Sequence, residues 1–392
     1  MAFVTHLLLA LTLAGSGAMT ETAPLRTVTL VVTGMPQDTP ADARVTLAGG
    51  VNGWNPEAPG FAFTPGEGGT QTLQLKLREG QAFEYRLTRG RWDTAERNAD
   101  GSERRARTLV VRGDMRVELR VERWLDSPGK VTLVKSTLTG NIEHLRDVKS
   151  PQLGNSRNLL VYLPPSYKKG TKRYPVLYMH DGQNVFNELT AYVKREWRAD
   201  EAAEALAARG HEVILVAIEN AGGARAAEYL PFKTRHNHHE PRAEAHAAFV
   251  VKTVKPMIDE RYRTLPDAAH TGIAGSSFGG VISLYTGLSY PEVFGFVGAF
   301  SPSLWVGDGS LFHWVKEHPA PKTMRLWLDM GDHEGDMPGE RLYAMELTEG
   351  MGDLLREQGA QVRVQFGKDA WHNEDAWAQR FPTALEWFVT GK

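Results

Sequence analysis

The 392-residue chain has no cysteine. Disulfide frameworks, thiolate metal sites, iron–sulfur clusters and a cysteine nucleophile are all excluded. It also lacks an excess of either charge: 45 Lys and Arg stand against 47 Asp and Glu, a formal net charge of −2. So even a balance gives no reason to expect nucleic acid or an anionic membrane surface as a partner. Past the first twenty residues or so, no apolar run approaches the length of a membrane-spanning helix. What is present is ordinary globular composition, 42% hydrophobic and 23% charged. At this length two or three domains are expected, each able to bury a core.

The first residues read separately. Ala2 to Ala14 is mostly apolar and is followed by small residues at Ser16-Gly17-Ala18, so residues 1–19 are expected to be a signal peptide that directs the chain to the periplasm or medium. The n-region holds His6 but no Lys or Arg, and Met19 offers an alternative start that would leave the protein in the cytoplasm.

Residues 25–125 alternate as short strands: Thr27–Val32, Arg44–Leu47, Thr72–Leu77 and Met115–Val121, broken by glycine-rich turns. A β-sandwich is expected there, with residues 126–130 as a linker. From 131 to 392 strands and helices alternate, which builds a mostly parallel sheet covered by helices on both faces.

The sharpest motif is Gly275-Ser276-Ser277-Phe278-Gly279. G-x-S-x-G between a strand (Thr271 to Ala274) and a helix is a nucleophile elbow: small residues two before and two after Ser277 let strand and helix approach, and the serine is held at the helix N-terminus. In a chain with 39 glycines the five letters alone would mean little, so the strand–turn–helix context carries the reading. A serine of this kind needs a base and an acid later in the chain. Only His313, His318, His333 and His372 follow Ser277. His372 lies on a short loop between a strand and the final helix, where its imidazole can project over the sheet edge. The acid is expected after the strand Met324–Met330, where Asp329, Asp332, Glu334 and Asp336 all qualify. After the strand Val176–Met179 comes His180-Asp-Gly-Gln-Asn184; the amides of Phe278 and Gln183 are the expected oxyanion donors. His236-Asn-His-His-Glu240 is metal-like in composition, but it has no helical ligand spacing and reads as a polar lid.

Several segments together resemble one family. Tyr174 to Phe186, Ile218-Glu-Asn220 with Arg225, Glu228 and Tyr229, Ala274 to Gly280, Ser301-Pro-Ser-Leu-Trp305, and His372-Asn-Glu with Trp377 are similar to the putative esterases, which include esterase D, enterochelin esterases, feruloyl esterases and mycolyltransferases. The resemblance covers about residues 135–390. It implies an α/β-hydrolase fold, a serine nucleophile, carboxylic esters as substrates, and neither cofactor nor catalytic metal. The family's acid commonly sits three residues after the glycine that ends its strand, which on Gly331 points to Glu334. Asp181, Asn184, Arg225, Glu228, Tyr229 and Trp305 are implied to line the substrate cleft. The first domain resembles a starch- or glycogen-binding module at Gly50 to Pro56, Phe83 to Arg86 and Gly90-Arg-Trp92, with Trp54 and Trp92 as candidate sugar-stacking residues. The expected function is hydrolysis of a small-molecule or glycan-linked ester, a siderophore-type oligoester or a feruloyl or acetyl ester. Acyl transfer to a sugar, and a glycan-binding protein on a decayed hydrolase scaffold, are the alternatives. Oligomeric state is not readable.

Overall fold

The computed structural model describes residues 23–99, 101, 104, 106–127, 136–192, 194–233, 240–334 and 338–392. The expected signal peptide, His236–His239 and Asp336 lie outside the described residues. The chain divides into two compact units: one running to Ser127 without residues 51–55, and a second comprising Val51–Asn55 and Pro128–Lys392.

The first unit is all-β. One sheet orders Thr64–Pro65, Gln71–Arg78, Leu25–Gly34 and Met115–Arg120; another orders Thr46–Gly49, Ala82–Thr88 and Arg107–Val110. Alternation explains the layers: Leu73, Leu75 and Leu77 are buried while Gln74 and Lys76 face solvent. The fully buried tryptophan is Trp124, whose indole N–H donates to Thr39 Oγ1 at 2.8 Å. Glu96, with no exposed side-chain surface, is held by Arg107 at 2.7 Å. Burial pushes the neighbouring Tyr85 hydroxyl up to about 12.

The second unit carries an eight-stranded sheet. Its strands are β1 (Asn141–Ser150), β2 (Asn155–Leu163), β3 (Val176–His180), β4 (Ile214–Ile218), β5 (Thr271–Ser276), β6 (Phe296–Phe300), β7 (Arg325–Gly331) and β8 (Gln361–Gly367), in the spatial order 1-2-4-3-5-6-7-8. β1, β2 and β4 pair antiparallel in turn, and from β4 to β8 all pairings are parallel. The helices are α1 (Ala199–Ala208), α2 (Arg225–Tyr229), α3 (Ala243–Phe249), α4 (Lys255–Arg261), α5 (Phe278–Ser289), α6 (Ser310–Glu317), α7 (Pro338–Glu357) and α8 (Glu374–Thr390). A π-helical stretch, Val250–Val254, joins α3 to α4.

The central strands are apolar on both faces, as a doubly covered parallel sheet requires. Val176 and Tyr178 of β3 face one cluster with α3 to α7; Leu177 and Met179 face the other with α1 and α8. Because β3 and β5 to β8 run parallel, the loops that follow them emerge along one edge of the sheet, where α/β folds place their sites. The elbow, the Gly182 turn, the Glu334 loop and the His372 loop are four of these.

Candidate active site

Ser277 is the pivot between β5 and α5. Its backbone has φ 58° and ψ −123°, a conformation that L-residues rarely adopt. The strain is held by hydrogen bonds: Ser277 N–H donates to Phe300 O at 3.0 Å, and the Gly280 and Val281 amides donate to Ser277 O at 3.1 and 3.2 Å. The side chain is half-buried, with Oγ 3.3 Å from Ser303 Oγ. The amide of Phe278 opens α5, so it belongs to the first-turn N–H groups that have no intrahelical acceptor.

Across the same edge, β3 ends in Asp181, left-handed at φ 56°, and the turn Gly182–Asn184. A Cβ on Gly182 would sit 2.6 Å from the Ala217 carbonyl carbon and 2.7 Å from Ile218 backbone atoms, so only glycine lets the turn lie on β4. This packing sets the position of the Gln183 amide. The Gln183 side chain accepts from Asn220 N–H at 3.3 Å, which further fixes the turn.

Among the described acids of the loop after β7, Glu334 is the one that meets His372. Glu334 Oε2 lies 2.7 Å from His372 Nδ1. Its Oε1 accepts the Gly331 amide at 2.7 Å and the Ser301 hydroxyl. The carboxylate is 4% exposed, whereas the His372 side chain is 34% exposed and open to the edge. The Trp377 ring stands edge-on to His372 with centroids 5.2 Å apart, and its indole N–H donates to Ser301 Oγ at 2.8 Å. Asp329 is spent elsewhere: fully buried, it pairs with Arg380 at 3.0 Å and accepts from the Trp327 indole at 3.0 Å. Asp332 turns to His333 at 2.7 Å and to the Ala370 amide at 3.1 Å. Burial works to raise its pKa, but the His333 ring and the backbone amides pull it below the ordinary carboxylate range.

The residues expected to line the cleft divide sharply. Trp305 is 42% exposed on the loop after β6, in reach of solvent at the edge. Asp181 and Arg225 form a two-pronged ion pair, both contacts 2.7 Å, with the guanidinium stacked 5.1 Å from Tyr229 and 5.4 Å from Phe278. Asn184 is buried and donates to Glu374 at 3.1 Å while accepting the Tyr192 amide at 3.1 Å. Glu228 and Tyr229 depart from the expectation. Both are fully buried. Glu228 is held by Arg157 at 2.9 Å, Asn155 at 2.9 Å and His246 at 3.5 Å; Tyr229 OH accepts the Asp181 amide at 3.3 Å. Their side chains brace the floor of the site because no surface of theirs is left to meet a ligand. Trp54 groups with the second unit and is partly buried against its hydrophobic cluster, and Trp92 is half-buried on a short turn of the first.

Ser301, Arg380 and Asp329 form a buried support beneath Glu334 that sequence reasoning passed over. Ser301 is left-handed at φ 43° and fully buried; its hydroxyl accepts from Arg380 at 3.1 Å and its amide donates to Asp329 O at 2.9 Å. The available signal was a serine placed directly at the end of β6, inside a segment already singled out.

The chain matches known proteins in sequence and in fold. The family model described as "Putative esterase" matches residues 150–388. An uncharacterised protein of Bacillus subtilis (strain 168), YbbA, is 25% identical over 247 residues, covering 61% of this chain and 94% of that protein. An alpha-amylase of Niallia circulans is 38% identical over 115 residues, which are 29% of this chain and 9% of the amylase. Among solved structures, the enterobactin esterase of Shigella flexneri superposes with a TM-score of 0.50 at 16% identity, over 92% of each chain.

Proposed function

The chain belongs to the Putative esterase family and is a carboxylic ester hydrolase; from that premise we propose that Ser277 is its nucleophile, His372 its general base and Glu334 the acid that orients the histidine. The observation that carries the reading is the 2.7 Å contact between His372 Nδ1 and Glu334, made on the sheet edge that also presents the elbow serine. Glu334 fixes the tautomer with the proton on Nδ1 and leaves Nε2 to take the Ser277 proton. Ser277 Oγ then adds to the ester carbonyl, and the amides of Phe278 and Gln183 hold the oxyanion. Collapse expels the alcohol, protonated by His372, and leaves an acyl-serine. Water, deprotonated by His372, releases the acid and restores Ser277. Ser277→Ala should abolish both turnover of p-nitrophenyl acetate and fluorophosphonate labelling, with a loss of roughly 10⁴ to 10⁶ in kcat and an unchanged fold by circular dichroism. Labelling that persists in the variant overturns the assignment.

For the substrate we favour an oligoester of the siderophore type or a feruloyl or acetyl ester. Exposed Trp305 supports it as an apolar wall for an acyl or aryl group. For the first unit we favour carbohydrate binding, with Trp92 as the stacking residue. The stretch shared with the amylase, 115 residues long, supports this by being about the length of that unit. A hydrolysis panel of p-nitrophenyl, feruloyl and catecholate oligoester substrates separates the former choices. Retention on insoluble starch, and its loss in Trp92→Ala, tests the latter.

A further inference from the structure

Glu196, Asp200 and Glu201 meet where the segment that follows the Gly182 turn enters α1. One carboxylate oxygen of each lies within 4.8 Å of the other two. A cluster of acids at a helix N-terminus is ordinary, and the partial charge there, roughly half an elementary unit, favours it. Two features set this one apart. Glu196 is 2% exposed and Asp200 0%. And Glu196 Oε2, Asp200 Oδ1 and Glu201 Oε2 are buried with no hydrogen-bond partner among the described residues. Buried carboxylate oxygens are ordinarily hydrogen-bonded or paired with a cation.

On the opposite side of Asp200, Oδ2 accepts from Thr139 N–H at 2.6 Å and from Thr139 Oγ1 at 3.0 Å. Asp200 is thus anchored by a threonine while its other oxygen is left without a hydrogen bond beside the other two carboxylates, the way outer hydrogen bonds orient metal-binding carboxylates. Among the described residues no side-chain cation answers the three carboxylates. Arg198 acts on Glu196 through space but is exposed, and Arg195 is committed to Glu188 at 3.4 Å and Asp375 at 3.6 Å. Burial pushes Glu196 up to about 7, and burial together with the adjoining Glu201 carboxyl pushes Asp200 up to about 8, so the protein alone accommodates these charges poorly.

We propose that Glu196, Asp200 and Glu201 form a structural site for a divalent cation of the calcium class. The donors are all hard oxygens, with neither imidazole nor thiolate, which suits calcium over zinc or copper. Water completes the shell, and the flexible coordination of calcium tolerates three ligands drawn from one short segment. The ion ties the Thr137–Thr139 segment to α1. It also stiffens the loop in which Trp197 N–H donates to Asn184 O at 2.9 Å and Ala199 N–H to Val185 O at 3.2 Å, so its stabilisation reaches the turn that holds Gln183.

The test is thermal unfolding of the full chain, stripped with EDTA and then titrated with CaCl₂, MgCl₂ or MnCl₂ at matched ionic strength. CaCl₂ should raise Tm by roughly 5 °C once it saturates the site, with one equivalent bound by calorimetry. Terbium should bind competitively with calcium and show emission sensitised by Trp197. Glu201→Gln, at a half-buried position that tolerates the change, should remove most of the rise, and Glu196→Gln the remainder; should the second not fold, the first still reads the site. Absence of any calcium-dependent shift or binding up to ~1 mM, a rise with MgCl₂ alone, or a rise undiminished in Glu201→Gln overturns the proposal.

Discussion

Ser301 shows how much of the site rests on one side chain that touches neither the serine nor the histidine. Its hydroxyl donates to Glu334 and accepts from Trp377 and Arg380, so the acid is fixed from below before it meets His372. Preorganisation of this kind is what the orienting acid requires, since its role is to hold one tautomer in one place. The four acids of the β7 loop could not be separated by spacing in the sequence, and our preference for Glu334 rests on which of the described carboxylates has a buried cradle. Glu334 has one, Asp332 is turned to His333, and Asp329 is consumed by Arg380. Glu334→Gln should therefore lower kcat by about 10² to 10⁴. Asp332→Asn should lower it by less than about tenfold, a ~1.4 kcal/mol effect. Steady-state kinetics on one ester decides, and a larger defect in Asp332→Asn would reverse the roles.

At the scale of elements, the parallel strands and the elbow were legible because both leave dense local signals: apolar runs of five or six residues, and glycines where a strand and helix must touch. In the second unit three elements were not. β1 is an edge strand whose pairing to β2 shifts register between Leu145 and Val148, with Asp147 left-handed at φ 53°; its mostly polar residues hide the period of two. α2 has five residues and no room for a period. α6 did carry a signal, Leu311 and Val315 buried one helical turn apart, but Trp314 and the stacked His318 at 4.1 Å read as scattered aromatics. The helical run from Ala243 to Arg261 is broken by the π-helical turn Val250–Val254. The elbow yields a test at this scale. A Cβ on Gly275 would lie 2.7 Å from Gly279 O and 2.8 Å from its carbonyl carbon, backbone atoms with no freedom to withdraw. Gly275→Ala must push β5 and α5 apart. It should cost about 1–3 kcal/mol in urea unfolding and displace Ser277 enough to lower kcat about a hundredfold. An active, equally stable variant would mean that the turn has slack its geometry does not show.

The whole molecule inherits an acid sensitivity from polar groups buried under the site. His180 is 3% exposed and neither ring nitrogen has a partner among the described residues; its ring packs 5.2 Å from those of His246 and Tyr229. Burial, and then the neighbouring His246, holds His180 well below the usual imidazole range. His246 is likewise lowered by burial, which outweighs the pull of Glu228. The unfolded chain takes up these protons near pH ~6.5 and the folded chain does not. The stability they contribute is complete above ~6.5 and is lost as pH falls from there toward the depressed folded values. Glu228 acts lower down. Burial alone would raise it, but His246 and Arg157 hold it at about 2. Its contribution is complete above the unfolded value of ~4.3 and disappears as pH falls toward 2. Between pH ~6.5 and ~5 each histidine that titrates only in the unfolded chain should contribute a fall of about 1.4 kcal/mol per unit in the unfolding free energy, against an opposite contribution from Glu196 and Asp200, which are raised to about 7 and about 8. Urea titrations at several pH values measure the slope. His180→Phe, which fills the same apolar slot without a titrating group, should remove about one proton's worth of it. If the slope is the same in that variant, His180 is not a source of it.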